Sequence, residues 1–323
     1  MVNAESGEGR NVSSGEPSAD PADSSIAGRI RARGAVLDMP FTQSIYKPLL
    51  ERQPREGVKV TRDLRYGSDE RQRLDVYEPE AHGATPRTLL ILMPGGGFIR
   101  GDKAERENFG QRFGREGIVT AVANYRLAPA HRWPAGAEDV VAAYVWTRKH
   151  AARFGADPDR IFLVGESAGA AHVAAATLVR RFHPPEGLVI AGTVLISGVY
   201  NAHLERLARG QFGVTTPDPR NEAYFGADFE RYPQMSTVEL IDAPPSAPLL
   251  ITYAELDLLG MQVQAGELFA TLVTHHGYSP QLRVIPGHNH LTQVYAVNTG
   301  DESLSAPLLE FFRGGNTDET STS

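Results

Sequence analysis

The heptapeptide Val164-Gly165-Glu166-Ser167-Ala168-Gly169-Ala170 constrains this chain more than any other stretch. It holds G-x-S-x-G between an apolar run, Ile161 to Val164, and a helix-favouring run, Ala168 to Arg181. A serine with those flanks belongs on a sharp strand-to-helix turn. Glycine suits positions 165 and 169 because a β-carbon there would crowd the adjoining strand or helix. Such a turn presupposes a sheet whose strands end along one edge, with Ser167 at that edge and the Ala168 N–H facing any carbonyl the serine attacks.

The remaining periodicity supplies the sheet. Strands are expected at Val58–Tyr66 and Arg73–Tyr77 as an antiparallel edge pair. Central strands follow at Thr88–Met93, Val119–Asn124, Ile161–Val164, Leu188–Ile196, Leu249–Tyr253 and Gln281–Ile285. Helices are expected near Arg106–Arg115, Glu138–Phe154, Ala168–Arg181, Met261–Thr274 and Ser303–Arg313. Alternation of this kind marks an α/β protein, a mostly parallel sheet with helices on both faces. Arg126, Asp139 and Arg160 are read as charges that fix loops beside buried strands.

The buried run Leu89 to Met93 ends in Pro94-Gly95-Gly96-Gly97-Phe98. Glycines leave backbone N–H groups open to close approach. Neither a phosphate-loop nor a dinucleotide-binding pattern is present. Behind a nucleophilic serine, the Gly96 and Gly97 amides with that of Ala168 are candidates for an oxyanion hole.

A serine nucleophile requires a base, and the base an orienting acid. Glu255 and Asp257 follow the strand at Leu249–Tyr253, and His288 and His290 follow the strand at Gln281–Ile285. Either acid and either histidine can therefore reach the edge that carries Ser167. Residues i and i+2 of an extended segment share a face, so direction does not separate the two acids. His172, just past the turn, is read as a packed helix residue.

At these residues the chain resembles the hormone-sensitive-lipase-like branch of the α/β-hydrolases, carboxylesterases related to kynurenine formamidase-like enzymes. Gly165-Glu166-Ser167-Ala168-Gly169 is similar to the branch's G-[DE]-S-A-G. The stretch Tyr125-Arg126-Leu127-Ala128-Pro129-Ala130-His131-Arg132-Trp133-Pro134-Ala135 is similar to its Y-R-L-A-P-E-H-x-[FY]-P-A, and Ala254-Glu255-Leu256-Asp257 to its A-E-x-D. The likeness runs from about Val58 to Phe312. It implies the α/β-hydrolase fold with a small cap, and a triad of Ser167, Asp257 and His290. One departure stands out: Pro94 occupies the place of the first residue in the branch's H-G-G-G. The glycine amides are expected to work regardless, with proline stiffening the loop through its fixed φ.

Two segments break the strand–helix rhythm, residues 30–55 and 199–243, and these are expected to form the cap. From them and the glycine loop, Phe98, Tyr200, Tyr224 and Phe225 are candidate substrate-binding residues, with Phe212 and Tyr232 as further aromatics. The hydrolase domain is expected to span 30–313, between a disordered leader at 1–29 and a flexible tail at 314–323.

Composition narrows the partners. The 32 basic and 39 acidic residues give a net charge of −7, and no basic cluster with interleaved aromatics suggests nucleic acid. The absence of cysteine removes disulfides, thiol nucleophiles and thiolate zinc sites. No metal-ligand spacing appears, so neither a metal nor another cofactor is expected. No run reaches the roughly 18 apolar residues of a membrane span, and the first residues lack the pattern of a secretory signal. The expectation is a cytoplasmic serine esterase with a small-molecule ester or amide substrate, no nucleic acid and no membrane; a homodimer is left open. An amidase or arylformamidase using the same triad, or a non-catalytic receptor on the same fold, are the competing expectations.

Overall fold

The computed structural model describes residues 24–80, 85–204 and 219–314. Eight strands form one sheet: β1 (Val58–Arg65), β2 (Arg73–Pro79), β3 (Arg87–Met93), β4 (Val119–Ala123), β5 (Ala156–Glu166), β6 (Gly192–Ile196), β7 (Leu249–Leu256) and β8 (Gln281–Asn289), in the order β1-β2-β4-β3-β5-β6-β7-β8. Only β2 runs against its neighbours, antiparallel to both β1 and β4; all other pairs are parallel. Ser167 therefore leaves the middle of the sheet, where β5 lies between β3 and β6.

Helices α1 (Ile26–Arg33) and α2 (Met39–Glu51) precede the sheet. Their starts are capped by side chains: Ser25 Oγ accepts the Gly28 N–H at 3.0 Å, and Asp38 Oδ1 accepts that of Phe41 at 2.9 Å. Helix thus begins inside the stretch expected as a leader; residues 1–23 of that stretch, and 315–323 of the expected tail, lie outside the described residues. The main helices are α3 (Glu107–Arg115), α4 (Ala135–His150), α5 (Ala168–Leu178), α6 (Pro219–Phe225), α7 (Thr237–Leu240), α8 (Leu259–His276), α9 (Thr292–Tyr295) and α10 (Ser305–Gly314).

The sheet is buried on both faces, which is why its central strands read as unbroken apolar runs. On one face Leu89, Ile91 and Leu163 pack with Val140 and Ala143 of α4, Val173 and Ala174 of α5 and Leu268 of α8. On the other, Leu90, Leu92 and Phe162 meet Phe109 and Phe113 of α3 and Leu308 and Phe312 of α10. Fully burying each such Leu or Phe contributes about 1.5–3 kcal/mol.

The expected strand at Leu188–Ile196 begins only at Gly192. The Tyr144 hydroxyl satisfies both backbone groups of Val189, donating to its carbonyl and accepting from its N–H, each at 3.0 Å. That residue needs no strand partner, so Leu188 and Ile190 pack on the core from an irregular segment. Helix α5 stops at Leu178 rather than 181, because Val179 is extended at φ −117°. The loop charges behave as read. Asp139 accepts from Arg126 Nε at 2.8 Å, the Arg126 N–H at 2.7 Å and Gln72 Nε2 at 2.8 Å, and Arg160 donates to the Phe312 carbonyl at 3.1 Å.

Candidate active site

Strand β5 ends at Glu166 and α5 begins at Ala168, so the chain reverses on Ser167 alone. Its backbone sits at φ 51°, ψ −117°, a strained region for a residue with a side chain. Strain of this kind costs about 1–3 kcal/mol and persists only where the surroundings enforce it. The enforcement is visible: the Ser167 N–H donates to the Ile196 carbonyl at 2.8 Å, and its own carbonyl accepts from Ala171 at 3.1 Å. A β-carbon on Gly165 would lie 2.5 Å from Ala170 Cα, and one on Gly169 would lie 2.2 Å from the Met93 carbonyl oxygen. Neither contact is tolerable, so the two glycines of the motif are what let strand, turn and helix close on one another.

Three side chains from three strand ends converge here. His290, after β8, has Nε2 3.0 Å from Ser167 Oγ and Nδ1 2.8 Å from Asp257 Oδ1. Asp257 directly follows β7 and is fully buried. Its carboxylate accepts three further bonds: Ser197 Oγ at 2.5 Å, the Ala254 N–H at 3.2 Å and the Leu258 N–H at 2.9 Å. An acceptor-only carboxylate at Nδ1 sets the tautomer, with the proton on Nδ1 and the Nε2 lone pair toward the serine hydroxyl.

Burial pushes the Asp257 carboxyl up, but the His290 ring and the hydrogen bonds from His290, Ser197 and Ala254 outweigh it and hold the group below its usual range. Burial pulls His290 down, and the facing Asp257 charge overcomes this, leaving the imidazole above its ordinary value. The pair is thus built to carry a proton on His290 beside an ionised Asp257.

The rival residues lie elsewhere. His288 Nε2 is 3.2 Å from Asp301 Oδ2, and its Nδ1 is 3.3 Å from Thr292 Oγ1. Glu255 is partly exposed and accepts the Gly287 N–H at 2.7 Å. His172 is buried among Phe98, Tyr125 and Tyr224, and burial pushes its imidazole down to about 3.

The glycine loop after β3 lies against the serine. Gly96 and Gly97 have φ of 146° and 59°, values that favour glycine. The carbonyl of Pro94 accepts from the buried Tyr125 hydroxyl at 3.0 Å, and the Gly95 N–H donates to Glu166 Oε2 at 3.1 Å. These contacts anchor the loop where the family histidine is replaced. Among the described residues, no hydrogen bond engages the N–H groups of Gly96, Gly97 or Ala168.

Two supporting groups escaped sequence reasoning. Glu166 forms a buried two-point pair with Arg106, Nε to Oε2 at 2.5 Å and Nη2 to Oε1 at 2.6 Å. Burial opposes the charge on Glu166, yet the Arg106 guanidinium holds its carboxyl below the usual range. The acidic residue inside G-E-S-A-G was a signal that a cation had to come from somewhere; which of the arginines supplies it was not. Ser197 and Gln293 are the second case, with Gln293 Nε2 donating to Ser197 Oγ at 2.8 Å and thereby aiming its proton at Asp257. Nothing in their local sequence marks them.

A cavity of about 300 Å³ opens over Ser167 and His290, lined by Gly95 to Phe98, Leu258, Met261 and Leu291 among others. Of the four aromatic candidates, only Phe98 lines it. Tyr200 belongs to the main core, its hydroxyl accepting the Gly198 N–H at 3.1 Å. Tyr224 stacks on Phe98 with centroids 4.5 Å apart, and Phe225 meets Phe98 edge-on at 5.4 Å. Tyr224 and Phe225 support the wall from behind rather than forming it, because each packs against Phe98 and against the other instead of facing the cavity. Tyr232 packs in the same cluster; Phe212, with residues 205–218, lies outside the described residues.

Among the described residues no helix is long and apolar enough to cross a membrane, and no group of three or more His, Asp or Glu could hold a metal ion.

The fold and this edge arrangement define an α/β-hydrolase. A family model described as the alpha/beta hydrolase fold matches residues 90–294, and the chain belongs to that family, in the hormone-sensitive-lipase-like branch its motifs resemble. Over 122 residues it is 36% identical to a probable isoprenylcysteine alpha-carbonyl methylesterase of Arabidopsis thaliana, a match covering 38% of this chain and 25% of that protein. It is 27% identical over 235 residues to the ethyl acetate hydrolase of Pseudomonas putida, covering 70% of this chain and 73% of the relative. Among solved structures it is similar to a bacterial heroin esterase, with 25% identity, a TM-score of 0.68 and coverage of 90% and 95% of the two chains.

Proposed function

We propose that this protein is a serine hydrolase of small to medium carboxylic esters, working through an acyl-enzyme. The observation that carries this is His290, hydrogen-bonded at once to Ser167 at 3.0 Å and to Asp257 at 2.8 Å. Ser167 Oγ bonds to the ester carbonyl carbon while its proton passes to His290 Nε2. The carbonyl oxygen becomes an oxyanion, stabilised by the Gly96, Gly97 and Ala168 N–H groups. The carbon–oxygen bond to the alcohol then breaks as His290 returns its proton to the leaving oxygen. Water, deprotonated by His290, cleaves the acyl-serine, so one ester and one water give one acid and one alcohol. Asp257 stays ionised throughout and stabilises the imidazolium.

The segment 30–55 and the described parts of the second, 199–204 and 219–243, act as the cap. Leu37, Met39 and Gln43 from the first, and Val199, Arg220 and Asn221 from the second, contribute to the cavity wall, which supports that assignment. A cavity this size accommodates short acyl groups. The names of the relatives, a methylesterase, an ethyl acetate hydrolase and a heroin esterase, agree in ester chemistry. A panel of p-nitrophenyl esters from acetyl to palmitoyl, run beside the matching anilides, tests the proposal. Turnover of acetyl to about hexanoyl esters with little anilide cleavage is expected; preference for anilides, or kcat/KM still rising at palmitoyl, overturns it.

A further inference from the structure

Arg220 stands where the cap meets the glycine loop. Its side chain runs across Gly97, with Cδ 2.8 Å and Nη1 3.6 Å from the point that a β-carbon on Gly97 would occupy. The missing side chain at position 97 therefore leaves the room that the arginine stem fills. Both residues line the cavity over Ser167. The helix that carries Arg220 is held one turn further on: the Tyr224 ring stacks on Phe98 at 4.5 Å, and the Tyr224 carbonyl accepts the Trp133 N–H at 3.0 Å. The guanidinium is thus set from both ends, by its stem on the loop and by its helix on the aromatic wall.

The charges along this cavity do not balance. Arg106 and Glu166 neutralise one another in their buried pair. Glu105 is exposed and sits at the border with a neighbouring cavity between α2 and α3, whose lining it shares. Arg220 is half-buried, and the exposed Arg100 adds a second cation from the same loop, its backbone N–H donating to the Gly96 carbonyl at 3.2 Å. The Arg220 charge is felt at the reacting groups. Burial is the largest influence lowering the His290 imidazole, and Arg220 lowers it further, against the raising effect of Asp257 and Glu166. A half-buried guanidinium acts through a lower dielectric than a solvated one. It also carries several N–H donors, so a contact to one neighbour leaves others for a ligand.

We propose that Arg220 is a specificity-determining residue that binds a carboxylate of the substrate, and that the enzyme prefers short esters carrying an unesterified carboxylate a few carbons from the ester bond. The inference rests on the ester-hydrolase reading above. A cavity of about 300 Å³ holds one compact molecule, so a group at Arg220 and an ester at Ser167 belong to the same small substrate. A carboxylate matches the planar guanidinium fork and can pair with it at two points. An alkyl chain in its place would take water from the guanidinium and return no hydrogen bond. The carboxylate is the shared chemistry, whether it sits on the acyl or the alcohol half of the ester.

The test uses the full chain and two matched pairs of esters, with p-nitrophenyl acetate as a reference. Monomethyl glutarate against methyl glutaramate places the charge on the acyl half. Acetoxyacetate against acetoxyacetamide places it on the alcohol half. Dividing each kcat/KM by the ester's own hydroxide-catalysed rate removes differences in intrinsic reactivity. In at least one pair the carboxylate is expected to exceed its amide by about tenfold or more, the worth of a hydrogen bond to a charged group. Arg220→Gln should bring that ratio close to unity, and Arg220→Lys, which keeps the charge without the fork, should retain part of it. The ratio compares two substrates on one protein, so a general loss of activity or stability cancels. If p-nitrophenyl acetate is cleaved but neither carboxylate is preferred to its amide, or if the preference survives Arg220→Gln, the proposal is wrong and the hydrolase reading stands. If no ester is cleaved, both fall.

Discussion

Arg106 and Glu166 form a fully buried, two-point ion pair directly beneath the proposed nucleophile, with Nε–Oε2 at 2.5 Å and Nη2–Oε1 at 2.6 Å. Glu166 also accepts the Gly95 N–H at 3.1 Å, and the guanidinium lies 4.8 Å from the centre of the Tyr295 ring. One carboxylate thus ties the turn at Ser167 to the glycine loop. Removing only its cation leaves a charge with no solvent to receive it. Arg106→Met is therefore expected to lower stability by about 3–5 kcal/mol and to loosen the glycine loop, reducing kcat more than it raises KM. Urea unfolding together with steady-state kinetics checks both effects; an unchanged midpoint would show that the pair is not needed.

The two histidines of the β8 edge should separate cleanly. His290→Gln is expected to lower kcat by several orders of magnitude, on the scale of about a million-fold for a triad member. His288→Gln loses the contacts to Asp301 and Thr292 and should change stability, with kcat within a few-fold of wild type. A dead His288→Gln beside an active His290→Gln would relocate the base.

Activity should fail on the acid side at a pH above that of an ordinary histidine. Only neutral His290 can accept the serine proton, and Asp257 raises its pKa, so turnover is full above the raised value and is lost as pH falls through it. Ser197→Ala removes a donor from Asp257, leaving more of its charge for the imidazole. The acid limb should then move to higher pH, with a smaller kcat. A limb that stays in place would mean that Ser197 does not act through Asp257.

Stability should carry a separate signature from His172. Its buried imidazole has a pKa pushed down to about 3, against about 6.5 in the unfolded chain. A depressed folded value means that the unfolded state binds the extra proton. The contribution is complete above about pH 6.5 and is lost as pH falls toward 3, by about 1.4 kcal/mol per unit in that window. Urea unfolding at pH 7 and pH 5 should show a shallower fall in His172→Leu than in wild type; equal slopes would contradict this.

Much of the site was legible before the fold was known, for reasons that lie in particular residues. The turn at Ser167 is written partly in local contacts, since Gly165 is required by Ala170 and Gly169 close by, whereas Gly169 is required by the end of β3 at Met93 and Pro94. The chain order of Ser167, Asp257 and His290 is likewise legible, since each follows the end of a strand: the buried β5, the largely buried β7 and the exposed edge strand β8. Spacing alone could not choose between Asp257 and Glu255 or between His290 and His288; the likeness to a family did. The support of Asp257 by Ser197 and Gln293 spans 60 and 96 residues of chain and depends on strand order, which composition does not reveal. The same holds for Tyr200, Tyr224 and Phe225. Aromatic character alone marks them as pocket walls, whereas three-dimensional packing sends Tyr224 and Phe225 behind Phe98 and Tyr200 into the core.

Whether Ser167 is a nucleophile activated by His290 is tested most directly by intact-protein and peptide mass spectrometry after treatment with a fluorophosphonate. One adduct per chain is expected, on Ser167, formed rapidly in wild type and abolished by Ser167→Ala and His290→Gln. An adduct on another residue, or labelling of Ser167 that proceeds unchanged without His290, would contradict it.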